Sequence, residues 1–490
     1  MSANSSKQSP QTTRPRHLVG LSILISLIAV GGTLGGFFIG RQTSSDAYVK
    51  KVGALLAIEN NGTTLYQALG NKLDDPLTAQ ALAKLYGVPV GDRDALAQRL
   101  RSVAWLPPYR PAPFVGHMAR PMLGADPHIN ILGFRDDRES YVTKSDQTVR
   151  IFITGGSTAW GSGASSQKNT ISYLLEQILD ERMSPATGYR YEVINTAFPG
   201  WTTTQEKLLI QQRLVDMHPD VIIMFTGNND VHWSREQRDI RWLYGPMDQN
   251  YMTLLNELYR SSGHPEWTFA VPVSSRPVAC SDLAEITARN VAEAASSADR
   301  AGVHLIFALQ PNIVSTAKRL SRREQQLPEV QHKTFWDACY QALRDRLGRI
   351  SARNYRLLDL SRSFGDIGED TEVFVDSYHF ADLGNRRIAE ALANQIDWSS
   401  IKPGPAVIYD GAERLKIISF DPTESAAGEP FNQQSDGTSA MRVIPSSINQ
   451  NLLVVFDQSV LPTTVANNAL TASVPASLYA AKGEHRVYVV

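Results

Sequence analysis

The sequence predicts an α/β fold, a flavodoxin-like parallel sheet between two layers of helices, within a chain of 490 residues. Two observations predict it. From Arg150 onward, short apolar β-branched runs alternate with longer stretches of helical periodicity, the pattern of strands joined by helical crossovers. The runs are RIFIT, YEVINTAF, DVIIMFTG, VHLIFALQ and YRLLDL, and between them lie ISYLLEQILDERM, TQEKLLIQQRLVDM, DLAEITARNVAEAASSADRAG and TFWDACYQALRDRLGRI. The first three runs end in glycine- or asparagine-bearing turns, which belong at the carboxyl edge where open α/β sheets bind ligands.

The flanking segments divide the rest of the chain. Leu18 to Ile39 carries no charge, lies between His17 and Arg41, and is long enough to cross a bilayer. It predicts a tail (1–17) and a membrane anchor (18–40). A cleaved signal peptide would need a shorter apolar core and a small-residue cleavage site, which GGFFIGRQTSS lacks; a buried soluble helix is the other alternative. Lys7, Arg14 and Arg16 before the span nearly balance Arg41, Lys50 and Lys51 after it, and the short acid-free tail favours the N-terminus inside. The expected protein is single-pass, with its large domain periplasmic or extracellular. Gly31, Gly32, Gly35, Gly36 and Gly40 form small-xxx-small patterns that would pair two anchors in a homodimer, or reflect the glycine tolerance of membrane helices.

Residues 41–149 read as a helical stalk or N-terminal cap as far as about Trp105, then a lead-in marked by Pro107, Pro108, Pro111 and Pro113. The segment from Ser234 to Val278 interrupts the α/β rhythm as an insertion. The catalytic region spans 150–398, 399–407 is a linker, and 408–490 has short strands and turns without helical periodicity, expected to form a small all-β immunoglobulin-like sandwich. With 48 Lys and Arg against 49 Asp and Glu, there is no basic excess to attract nucleic acid, and none is expected as a partner.

The chemistry begins at IFITGGSTAW, where a strand runs into two glycines and Ser157. Taken alone, Ser157 or Thr158 could simply cap a helix, and a phosphate-binding loop is less favoured still because it wants Gly-Lys-Ser/Thr and the nearest lysine, Lys168, comes too late. Three further blocks supply partners. The second strand ends at Asn195-Thr-Ala-Phe-Pro-Gly200-Trp201, offering the Gly200 N–H, and the third at Gly227-Asn228-Asn229-Asp230, offering the amide of Asn229 or its neighbour Asn228. Such donors stabilise the oxyanion of acyl transfer. Then FVDSYHFADLG places Asp376 and His379 on one short loop before a helix that Asp382 is expected to cap, so a carboxylate can orient the imidazole that takes the Ser157 proton. A metal site is the competing use of these groups, but His218 and His232 fall in different elements, and neither metal nor cofactor is expected.

Together the four blocks resemble the SGNH (GDSL-like) hydrolase family over about Arg150 to Ile396. Gly156-Ser157 stands for the nucleophile block, Gly200 for the glycine block, Gly227 to Asp230 for the Gly-x-Asn-Asp block, and Asp376 to His379 for the Asp-x-x-His block. The resemblance implies a Ser157–His379–Asp376 triad and an oxyanion hole of the Ser157 and Gly200 N–H groups and the Asn229 amide. GGST departs from GDSL by losing an Asp but keeps the nucleophile. An α/β-hydrolase is the rival fold, and Ala159 stands where its elbow asks for glycine. The end of the chain resembles an IPT/TIG domain in AGEPF, LTASVPASLYA and its final G-x-x-x-V-x-V, which implies a supporting or binding role.

The expected function is hydrolysis of an O-acyl ester, O-acetyl foremost, on a small molecule or a cell-surface polysaccharide. Trp160, Trp201 and Trp233 adjoin the site motifs as candidates to stack on a sugar, with core packing as the alternative for each. O-acyl transfer to a polysaccharide hydroxyl and a non-catalytic surface or assembly role are the competing readings. Cys280 and Cys339 are the only cysteines; one disulfide or two buried thiols would both fit their surroundings.

Overall fold

The computed structural model describes residues 62–112, 114–138, 144–238, 240–241, 256, 259–260, 263–264, 278–406, 416–434, 438–448, 452–456, 459–480, 482–485 and 487–489. The elements named below lie within Asn60–Met252 and Thr268–Val490. The expected anchor and its glycine patterns lie outside the described residues; among those described, no helix is long and apolar enough to cross a membrane.

Five strands form the central sheet: β1 (Thr148–Gly155), β2 (Arg190–Asn195), β3 (Val221–Thr226), β4 (His304–Leu309) and β5 (Tyr355–Asp359). They pair in the order β2-β1-β3-β4-β5, all parallel. This is the flavodoxin-like order, whose direction reverses at β1. Every residue of β1 and β3 is buried, because helices cover both faces of the sheet, whereas edge strand β5 is partly exposed. Strands buried on both faces must be apolar at successive positions, and this made RIFIT and DVIIMFTG legible as continuous runs.

Helices around the sheet include α1 (Ile171–Arg182), α2 (Thr203–Gln212), α3 (Asn228–Arg235), α4 (Cys280–Arg300), α5 (Lys333–Leu347) and α6 (Asp382–Gln395). Right-handed crossovers on either side of the reversal put α1 on one face and α2 on the other. Accordingly α1 packs with α6, and α4 packs with both α2 and α5. Thr170 caps α1, and Thr202 with Gln205 forms a capping box on α2, so the loops after β1 and β2 end at defined points. A Cys280–Cys339 disulfide ties the start of α4 to α5, in place of the two free thiols that the sequence also allowed.

The segment ahead of the sheet forms a helical module: Leu65–Leu69, Pro76–Leu85 and Arg93–Ser102, the last two capped by Asp75 and Asp92, with Thr63–Thr64 paired to Ala104–Leu106. Its core of Leu65, Leu82, Leu96, Leu100 and Val103 continues into Val375 and Ala381, which bracket the Asp376–His379 loop. A boundary at 149/150 therefore divides residues that share one core. The described part of the segment thus packs against the loop that carries Asp376 and His379.

Among the described residues, seven strands follow position 406: β6 (Ile417–Asp421), β7 (Ser439–Pro445), β8 (Val454–Phe456), β9 (Ser459–Val460), β10 (Thr463–Ala466), β11 (Ala469–Val474) and β12 (Val487–Val489). They build two antiparallel sheets, β6-β7-β11-β10 and β9-β8-β12. Val443, Val454, Phe456, Leu470 and Val474 from both sheets enclose a separate hydrophobic cluster, so this part has its own core.

Candidate active site

Ser157 follows β1 at the first position of a single helical turn, Ser157–Trp160, whose cap residue is Gly156. Its hydroxyl is not spent on capping. Ser157 Oγ lies 2.6 Å from His379 Nε2, and His379 Nδ1 lies 2.9 Å from both carboxylate oxygens of Asp376. The Tyr378 and His379 N–H groups each donate to Asp376 Oδ1 at 2.8 Å, and Val375 N donates to His379 O at 2.7 Å, closing the loop on itself. Burial pushes the Asp376 carboxyl up, but the charge and hydrogen bonds of His379 and the N–H of Tyr378 outweigh it and hold the group at about 2. A carboxylate that stays ionised can only accept. The ring proton therefore sits on Nδ1, leaving Nε2 free to take the Ser157 proton.

The oxyanion side is assembled by close approach. Asn229, at the start of α3, donates from Nδ2 to Trp201 O at 2.7 Å, and a Cβ on Gly156 would collide with that same amide nitrogen. A side chain at Gly156 would therefore oblige the Asn229 amide to shift. Gly200 takes φ +86°, open to glycine at little cost, as the chain turns from β2 towards α2. Asn228 does not compete for the donor role. It is buried, its Nδ2 donates to Pro311 O at 3.2 Å, and its Oδ1 accepts from Tyr340 Oη and Asn312 Nδ2.

Asp230 fixes α3 from below: it accepts from Thr203 N and Oγ1 and from Thr287 Oγ1, joining α3 to the start of α2 and to α4. Glu206, one turn along α2, is fully buried, and burial, reinforced by Asp230 and opposed by the Thr226 hydroxyl, pushes its carboxyl up to about 8. On the other side, Arg323 donates to Phe374 O and Val375 O and so holds the segment entering the Asp376 loop. Arg323 lies in the run SRRE, which in sequence is indistinguishable from a solvated charge cluster.

Two of the expected sugar-stacking residues are corrected. Trp160 and Trp201 have no exposed surface: the short turn directs Trp160 beneath Arg135, whose guanidinium lies 4.9 Å from its ring, and Trp201 packs on Phe198. Trp233 is half-buried beside His232 and under Arg238. Asp382 is also not the cap of α6. It is the first helical residue, after Ala381, and its carboxylate accepts from Ser165 N at 2.8 Å and Ser165 Oγ at 2.6 Å, tying α6 to the loop after Ser157. Among the described residues, no group of three or more His, Cys, Asp or Glu is placed to hold a metal ion.

A base poised on a hydroxyl, with a carboxylate behind it and an amide donor beside it, is built for acyl transfer. Residues 153–330 match the model of the GDSL-like Lipase/Acylhydrolase family. The domain is an ester-hydrolysing serine hydrolase. The matched range ends before Asp376 and His379, so those two residues rest on the geometry above. Similar solved structures include the acetyl xylan esterase AlAXEase (14% identity, covering 51% of this chain and 100% of that one, TM-score 0.30). Others are TesA (14%, 50% and 95%, TM-score 0.31) and Axe2, an acetylxylan esterase from Geobacillus stearothermophilus (13%, 53% and 97%, TM-score 0.32). No curated protein matches the chain.

In this hydrolase Ser157 Oγ attacks the acyl carbon as its proton passes to His379 Nε2, and Asp376 stabilises the imidazolium that forms. The donors expected from the sequence for the oxyanion are the Asn229 amide and the N–H groups of Ser157 and Gly200. Collapse returns the proton to the leaving alkoxide, and water repeats the sequence on the acyl-enzyme.

Proposed function

We propose that the protein hydrolyses short O-acyl esters, O-acetyl foremost, on a cell-surface or extracellular polysaccharide, with its catalytic region held outside a membrane by residues 18–40. The Ser157–His379–Asp376 geometry carries the reaction class. The Cys280–Cys339 disulfide favours an oxidising compartment, and the uncharged stretch Leu18 to Ile39 favours an anchor. The C-terminal sandwich, read as IPT/TIG-like, supplies a second contact with the polymer.

Release of acetate from O-acetylated polysaccharides by the full chain tests this reading, with Ser157→Ala as control. Acetate released by the unaltered chain and not by the variant is the expected result. If acetyl appears instead on a polysaccharide acceptor with little free acetate, the reaction is acyl transfer. Cleavage of long-chain esters alone would contradict the polysaccharide.

A further inference from the structure

We propose that Trp105, from the N-terminal helical module, is a positioning residue of the active site. It holds the plane of the His379 ring in which Nε2 meets Ser157. This rests on the Ser157–His379 reading and adds a component that lies outside all four sequence blocks.

The Trp105 and His379 ring centroids are 4.4 Å apart with the rings at 65°, an edge-to-face contact. The imidazole uses Nδ1 for Asp376 and Nε2 for Ser157, and those two bonds leave the ring able to tilt about the line that joins them. A neighbouring indole removes that freedom. Trp105 is itself fixed by its backbone: its carbonyl accepts from Ser162 Oγ at 2.5 Å, and Ser162 N donates to Ser157 O at 2.9 Å. A second tie runs from Tyr86 Oη to Gly163 O at 2.8 Å. The module thus grips the nucleophile loop through hydrogen bonds and the histidine loop through Val375 and Ala381. Because one module touches both, it sets the distance between the loops as well as the ring plane.

Trp105 remains half-exposed beside the half-buried Ser157, so a substrate-contact role alone would produce a different result from a positioning role. The experiment compares Trp105→Ala, Trp105→Phe and Ser157→Ala in the full chain, measuring kcat and KM on an aryl acetate and the rate of Ser157 labelling by a fluorophosphonate, each after a cooperative melt. Positioning predicts that Trp105→Ala lowers kcat and the labelling rate together, by roughly ten- to a hundredfold, with KM little changed. Trp105→Phe should restore most of both, since a ring again meets the imidazole. A raised KM with kcat and labelling intact would overturn the proposal, making Trp105 a substrate wall, and unchanged kinetics would overturn it outright. Should Trp105→Ala fail to fold, the folded Trp105→Phe and Tyr86→Phe variants decide: undiminished labelling in Tyr86→Phe together with a Trp105→Phe as slow as Ser157→Ala would contradict ring-plane positioning. Turnover surviving in Ser157→Ala would instead sink the underlying serine reading, whatever Trp105 does.

Discussion

At Gly156 the chain carries no side chain, and the Asn229 amide lies close against the nucleophile turn. Two variants should therefore behave alike. Asn229→Ala should lower kcat by roughly a hundredfold or more with little change in KM, because the lost donor acts on charge that develops only in the transition state. Gly156→Ala should move kcat in the same direction by displacing that amide. Steady-state kinetics on an aryl ester check both, and unchanged turnover in Asn229→Ala would remove it from the oxyanion side. Ser157 was legible in the sequence because it closes a strand and opens a helical turn, and Asp376 and His379 because they share one short loop ahead of a helix. Trp160 and Trp201 misled for the same reason. Proximity along the chain says nothing about direction, and one helical turn carries Trp160 into the core.

At the scale of elements, α2 and α3 are held together by Asp230 and carry Glu206 within the same buried region. An unfolded chain would release the Glu206 proton near 4.5, whereas the folded one keeps it up to about 8. Between those values the unfolded state binds fewer protons, so this group makes stability fall as pH rises, and the loss is complete above about 8. Glu206→Gln should flatten that decline and raise Tm at alkaline pH, which thermal melts across the window will show; an equally steep decline would place the charge elsewhere. The disulfide between α4 and α5 closes a separation of 59 residues, worth about 4 kcal/mol in the chain-entropy picture. Paired Cys280→Ser and Cys339→Ser changes should lower the melt in non-reducing buffer and abolish its sensitivity to reductant. The pairing was not legible, since it depends on how α4 and α5 cross. Helix α3 was missed as well, because Gly227 to Asp230 reads as a loop and the helix it opens is brief.

For the whole molecule, the sheet order followed from the alternating pattern, while the relation of the N-terminal module to the site did not. Its helices were visible in their periodicity, but the contact of Trp105 with His379 joins distant parts of the chain and leaves no local trace. The C-terminal sandwich encloses its own cluster and supplies none of the candidate catalytic residues. Removal of 408–490 should therefore leave kcat on a small activated ester unchanged, while activity on a polymer falls if the sandwich adds a tethered contact. A folded truncation that is inert on small esters would show that the sandwich completes the site.

The central claim is that Ser157 is an activated nucleophile served by His379 and Asp376. Its most direct test is reaction of the full chain with a fluorophosphonate, followed by peptide mass mapping. The account predicts a single adduct on Ser157, absent in Ser157→Ala and formed far more slowly in His379→Ala. A folded protein that acquires no adduct, or acquires one on another residue at an undiminished rate in Ser157→Ala, would contradict it.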